Sequence, residues 1–301
     1  MGDITLTPAQ HPVDHLACTL RAMTSAASST ARPQFSLVEP TLRHVPVGPL
    51  SVFDGDLKMA ADWCVEQAAN GRGARVATAN LDFIALARKN SRLREDLANC
   101  HLVVADGAPV VWLSRAAGSR KTRRTTGVDL VAAIAERAVS AGGIRLAMYG
   151  SSPEISQQAA ANLVSAYPAL EVAGRICPPF GTVRSDEDIQ AEVEQLANAR
   201  PQVVLVALGC PRQERFIAEH FDAIPQAVWI GIGGTFDFYA GKRVRAPRIF
   251  QATGFEWAIR LAQEPRRLWR RYLLQDIPAL LAVAPGCLLR RPLQAPGEGR
   301  V

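Results

Sequence analysis

Val203-Val204-Leu205-Val206-Ala207-Leu208-Gly209-Cys210-Pro211-Arg212-Gln213 is the stretch on which the fold turns. Val203 to Leu208 is an unbroken apolar run of strand length, as a buried strand requires. Gly209 ends it. Pro211 suits the first turn of a following helix, where its missing N–H is not needed. Gln213, Glu214 and Arg215 occupy that turn, and Phe216 and Ile217 turn inward. A strand, a glycine turn and a helix N-terminus form a corner whose free N–H groups and dipole favour an anionic ligand. Many α/β units share this corner, so alone it marks a fold and not a function.

The same pattern repeats on both sides of it. Val45 to Phe53 reads as a first strand and turn, and Asp54 to Asn70 as an amphipathic helix burying Leu57, Ala60, Ala61, Cys64 and Ala68. Arg75 to Thr78 is a strand ending in Thr78-Ala79-Asn80, followed by a helix to about Arg88. His101 to Ala105 is a strand ending in Asp106-Gly107, followed by a helix with Val110, Val111 and Leu113. Ile144 to Tyr149 ends in Gly150-Ser151; Ser152 then caps a helix that has Pro153 in its first position. Glu171 to Ile176 is another strand, and Ser185 opens a helix with Asp186, Glu187 and Asp188 in its first turn, as the dipole prefers. Ala227 to Ile232 is the last strand. Strands alternating with helices predict an α/β fold with a mostly parallel sheet covered on both faces. Ligands of such sheets bind beyond the carboxyl ends of the strands. Thr78, Asn80, Asp106, Gly150, Gly209, Gln213 and Gly233 all fall at such ends.

The chain has 301 residues, 48% of them hydrophobic, which is enough for a sizeable core and argues against disorder. Its net charge of +6 is uneven. Lys242 to Arg271 holds nine basic residues and two acidic ones, so this segment carries +7 and the remainder −1. An anionic partner is therefore expected near the C-terminus. Gly241 to Arg248 reads as a basic loop, and Gly254 to Gln263 and Pro265 to Gln275 as two helices. Arg267 and Arg271 share a face of the second, as do Arg266 and Arg270. The expected division is an unstructured arm over 1–44, a core over 45–240 and a basic appendage over 241–301. The six cysteines include no CxxC pair, and the five histidines no metal-ligand spacing. Reduced cysteines in a cytoplasmic chain are the expectation. No signal peptide is visible. The apolar stretch Ile277 to Leu289 holds two prolines and a glycine and falls short of the ~20 residues of a spanning helix. Contact with a membrane, without crossing it, is expected.

Several motifs carry two readings each. Asp106 is a general base at a cleft edge or a turn residue capping the next helix. Thr78 and Asn80 bind sugar hydroxyls or cap a helix. Arg123, Arg124, Thr126 and Asp129 around Gly127 hold a diphosphate or form a solvated loop. Asp54-Gly55-Asp56 resembles a metal-binding DxD motif, but an Asp cap before a helix is the preferred reading. Gly231-Ile232-Gly233-Gly234-Thr235-Phe236-Asp237 lets backbone approach a ligand. It is no dinucleotide fingerprint, because Phe236 stands in place of the last glycine. Gly241-Lys242-Arg243 lacks the hydroxyl residue and upstream glycine of a Walker loop. The Arg- and Trp-bearing tail suits an anionic surface or, as a rival, a nucleic acid.

Taken together, Thr78-Ala79-Asn80, Asp106-Gly107, Arg124-Thr125-Thr126-Gly127-Val128-Asp129, Gly209-Cys210-Pro211-Arg212-Gln213-Glu214, Gly233-Gly234-Thr235-Phe236-Asp237, Arg245-Ala246-Pro247 and Glu256-Trp257 through Glu264-Pro265-Arg266-Arg267 resemble the WecG/TagA/CpsF glycosyltransferase family, from about Val45 to Tyr272. The resemblance implies a Rossmann-like fold with a C-terminal helical appendage. It implies an inverting transfer from a UDP-sugar to a polyprenyl-diphosphate-linked sugar at the cytoplasmic membrane face, for a cell-surface polysaccharide. No cofactor, no bound metal and no nucleic acid are expected. Asp106 is then the base, with Gln213 and Arg124 at the donor or reacting centre. Thr78, Asn80, Gly107, Thr126, Gly150, Gly209, Pro211, Glu214, Gly233, Gly234 and Asp237 would contact substrate. Arg260, Arg266, Arg267, Arg270 and Arg271 would hold the lipid diphosphate and the anionic surface. Leu81 departs from the pattern, since many members carry proline there.

Overall fold

The computed structural model describes residues 42–179, 181, 184–245, 261 and 265–289. Residues 1–41 of the expected arm, the expected helix Gly254–Gln263 with Arg260, and the side chain of Arg267 lie outside the described residues.

β1 (His44–Val47) and β2 (Leu50–Phe53) form an antiparallel hairpin that turns at Gly48, φ +59°. α1 (Leu57–Ala69) follows, and the Asp56 carboxylate caps it by accepting from Met59 N at 2.9 Å. Then come β3 (Ala74–Ala79), α2 (Leu81–Ala87), α3 (Ser91–Ala98), β4 (Leu102–Ala105), α4 (Ala108–Ala116), α5 (Gly127–Arg137), β5 (Ile144–Gly150), α6 (Pro153–Ala166) and β6 (Leu170–Ile176). α7 (Asp186–Asn198), β7 (Val203–Ala207), α8 (Arg212–His220), β8 (Val228–Gly231) and α9 (Thr235–Tyr239) complete the core. The tail adds α10 (Pro265–Arg271), a π-helical turn (Tyr272–Asp276) and α11 (Ile277–Leu288).

β3 to β8 form one parallel sheet in the order β4-β3-β8-β7-β5-β6. The chain runs outward to β4 on one side and to β6 on the other, then returns to the middle through β7 and β8. The loops after β3, β7 and β8 therefore meet at the centre of the carboxyl edge, where such sheets bind ligands. Side chains alternate across the sheet as strand geometry dictates. Val203 and Leu205 pack with α1, α5 and α6, whereas Val204 and Val206 pack with α7 and α8.

Three helices appear where the sequence reading assigned none. α3 starts at Asn90, whose side chain accepts from Leu93 N at 3.1 Å, and it buries Leu93 and Leu97 one turn apart. α5 starts at Gly127 with Thr126 as its cap, so Gly127 to Asp129 form a helix start, while Arg123 and Arg124 stand in the loop before it. α11 spans the proline-bearing stretch. Pro278 sits in its first turn and withholds the N–H that an α-helical bond to Leu274 would need, and the π turn falls there. α11 buries Ala279, Val283 and Cys287 against β1, α2 and α4. Gly48 leaves room for it: a Cβ there would stand 2.8 Å from Val283 Cγ1. This part of the C-terminal appendage is thus packed into the same body as the sheet.

Candidate active site

A cavity of about 1780 Å³ opens along the carboxyl edge of the sheet. Thr78 and Asn80 reach it from the end of β3, and Asp106 and Gly107 from the end of β4. Arg124 and Thr126 reach it from the entry to α5, and Gly209, Pro211 and Gln213 from the entry to α8. Gly233, Gly234 and Asp237 come from the loop after β8 and α9, and Arg271 from the tail. Distant parts of the chain thus converge as the strand-end argument expected. Gly150 and Glu214 do not line the cavity. Gly150 is a packing residue: at φ +104°, a Cβ would stand 2.6 Å from Ala207 O, so β5 and β7 could not stay paired. Arg266 and Arg270 are exposed and stand outside the cavity.

Hydrogen bonds brace the edge. The Thr78 hydroxyl is buried and donates to Gly231 O at 2.7 Å, tying β3 to β8. Asn80 caps α2, its Oδ1 accepting from Asp82 N at 3.0 Å, so the capping reading holds for it. Gln213, 1% exposed, accepts through Oε1 from Gly209 N at 3.1 Å and Gly233 N at 3.0 Å. Its amide spans the loops after β7 and β8, and both Oε1 lone pairs are used. Asp106 is half-buried, and its N–H donates to Ala79 O at 2.8 Å. It is not the cap of α4: that position belongs to Gly107, at φ +118°. Asp106 lines the cavity instead.

Charge gathers beside Asp106, where Thr125 N donates to Ala105 O at 2.8 Å. Arg245 forks onto Asp129 at 2.7 and 3.0 Å, and Arg124 approaches the same carboxylate at 3.7 Å. Burial alone would raise the Asp129 carboxyl. The Arg245 fork, the Thr126 hydroxyl and Arg124 outweigh it and hold its pKa below the ordinary value. Arg243 pairs with Asp237 at 3.4 Å. Arg124, Arg243 and Arg245 line one cavity, and guanidinium groups match phosphate geometry. Sequence reading missed the partnership of Asp129 with Arg245 because the two lie 116 positions apart. Proximity in the chain signalled only Arg124.

The DxD stretch serves the scaffold. Asp54 is 3% exposed and accepts from Ser119 Oγ at 2.6 Å and Lys121 N at 2.8 Å. Asp56 caps α1, as the preferred reading held. Neither lines the cavity.

In the tail, Arg271 lies between Asp82, 3.4 Å away, and Asp276, 3.7 Å away. Burial pushes both carboxyls up, Asp276 to about 7. The pairing joins α2 to the tail across the cavity wall. Trp269, Leu273, Leu274, Ile277 and Leu281 are exposed along the same helical segment, with Arg266 and Arg270 among them. Among the described residues no helix is long and apolar enough to cross a membrane.

The model of the glycosyl transferase WecG/TagA/CpsF family matches residues 45–292, most of the chain and further than Tyr272. The chain belongs to the WecG/TagA/CpsF glycosyltransferase family. It is also similar to two curated N-acetylglucosaminyldiphosphoundecaprenol N-acetyl-β-D-mannosaminyltransferases. One is from Bacillus spizizenii strain W23, 32% identical over 202 residues that cover 67% of this chain and 76% of the relative. The other is from Bacillus subtilis strain 168, 32% identical over 204 residues that cover 67% and 75%. The matched span takes in the whole sheet and α11.

Proposed function

We propose that this glycosyltransferase moves a sugar from a UDP-sugar to a polyprenyl-diphosphate-linked sugar with inversion, in the synthesis of a cell-surface polysaccharide. The observation that carries this reading is the placement of Asp106 and the Arg124–Arg243–Arg245 group in one cavity. Inversion is one direct displacement at the anomeric carbon. Asp106 takes the proton of the acceptor hydroxyl as its oxygen attacks. The bond to the UDP oxygen breaks on the opposite side, and the leaving diphosphate gathers negative charge. Arg124, Arg243 and Arg245 stabilise that charge, with the N-terminus of α8 nearby. Thr78 and Gln213 act by holding the loops that shape the donor pocket. The names of the relatives favour UDP-N-acetylmannosamine as donor and N-acetylglucosaminyl-diphosphoundecaprenol as acceptor; the uronate and UDP-glucose are the competing donors.

The exposed apolar face of the tail, flanked by Arg266 and Arg270, suits docking on the anionic inner face of the cell membrane. The lipid acceptor would then be met at the surface. The reaction is tested by UDP release from purified protein, with a panel of UDP-sugars and a short-chain polyprenyl-diphosphate sugar, in EDTA. Acceptor-dependent release with one donor supports the reading and its independence of metal. No release with any donor, together with no UDP-sugar binding by calorimetry, overturns it.

A further inference from the structure

Glu214 is a buried acid that the transfer mechanism leaves unused. It is 3% exposed and does not line the cavity. Its Oε1 accepts from Gln213 Nε2 at 2.7 Å. Gln213 Oε1 in turn accepts from the N–H groups of Gly209 and Gly233. A primary amide turned over by half a rotation keeps its shape and exchanges oxygen for nitrogen. Turned over here, its NH2 would face two N–H donors, and its oxygen would face the Glu214 carboxylate. Both ends would then repel. Close packing adds to the constraint, because a Cβ on Gly231 would stand 2.8 Å from Gln213 Nε2 and 3.1 Å from Glu214 Oε1.

We propose that Glu214 is a positioning residue: its carboxylate holds the Gln213 amide in the one orientation that ties the loop after β7 to the loop after β8 across the floor of the cavity. This rests on the reading of that cavity as the transfer site. Only an ionised carboxylate is an acceptor on every lone pair. A protonated one also donates, and it tolerates either amide orientation. Burial raises the Glu214 carboxyl to about 7, even though Gln213 and the Cys210 thiol hydrogen-bond to it. The other groups facing it are Asp96 of α3, which raises it further, and Cys100 beyond α3. Arg75 of β3 couples to Asp96 and Cys100. β7 and β8 contribute no titratable side chain. The lock therefore tightens as pH rises through about 7.

Three readouts on the full chain test this. In wild type, the side-chain NH2 resonances of Gln213, assigned by their loss in Gln213→Leu, shift with a midpoint near pH 7. In Glu214→Gln they do not titrate. Turnover of wild type rises through the same range. Glu214→Leu, which can neither accept from Nε2 nor ionise, lowers turnover about tenfold or more at every pH. Glu214→Gln, whose amide oxygen still accepts from Nε2, restores most of that loss without the rise. The proposal is overturned if Glu214→Leu turns over like wild type, or if the Gln213 resonances titrate in Glu214→Gln as they do in wild type. Should no donor be transferred by wild type itself, the transferase reading fails, and the amide titration still decides the positioning role.

Discussion

Replacing Gln213 by leucine removes the brace at the centre of the carboxyl edge while nearly preserving volume, so no large cavity is left. Three hydrogen bonds are lost: those from Gly209 N and Gly233 N, and the one to Glu214. An orphaned buried donor costs about 1–3 kcal/mol. The two backbone N–H groups are only part-buried at the cavity edge, so water recovers some of that, and about 1 kcal/mol each is appropriate. The Glu214 carboxyl adds a similar amount, because it loses a donor that favours its ionised form. The sum is about 2–4 kcal/mol, or a fall in melting temperature of roughly 5–10 °C for a core of this size. Urea unfolding followed by tryptophan fluorescence reads it, since Trp229 is fully buried in the core. Calorimetry with the UDP-sugar reads the effect on the pocket, and weaker donor binding is expected. A stability change below about 1 kcal/mol, together with unchanged donor affinity, would refute the reasoning that the amide braces the two loops.

Asp106→Asn keeps the shape of the site and removes its base, so turnover nearly disappears while UDP-sugar affinity by calorimetry stays close to wild type; equal turnover would end the assignment. Asp54→Asn tests the acid limb of stability. Burial raises the Asp54 carboxyl, but Ser119, Lys121 and Thr122 together hold it below 3.8. Its contribution is present above 3.8 and is lost as pH falls through the lower folded value. The variant should be less stable by about 1–2 kcal/mol at neutral pH, with the gap in urea midpoint closing in acid. Val283→Ala should cost about 1.5–3 kcal/mol, because α11 is packed into the body; an unchanged melting temperature would show that it is not. Leu274→Glu with Leu281→Glu leaves the core intact and should reduce sedimentation with anionic liposomes. Unchanged sedimentation would remove the membrane-docking role of that face.

The alternation of strand and helix was readable because each element is encoded locally. The run Val203 to Ala207 is apolar at every position, so it is buried on both faces. Ser152 and Ser185 stand where their side chains meet an N–H three residues on. Helix α3 carried the same kind of signal in Asn90, Leu93 and Leu97. α11 was hidden because prolines read as breakers, whereas Pro278 occupies a first turn.

By itself, the sequence determined the α/β class, the strand ends and the set of polar residues there, since periodicity and capping act over a few residues. The tertiary structure alone decided what those residues do. It turned Thr78 and Gln213 into braces, set Glu214 behind the cavity and Asp106 in its wall, and joined Asp129 to Arg245 and Arg271 to Asp82. These are pairings in space between residues far apart in the chain. Hydrogen-bond partners and burial depend on which loops the sheet order brings together, and no local spacing carries that information.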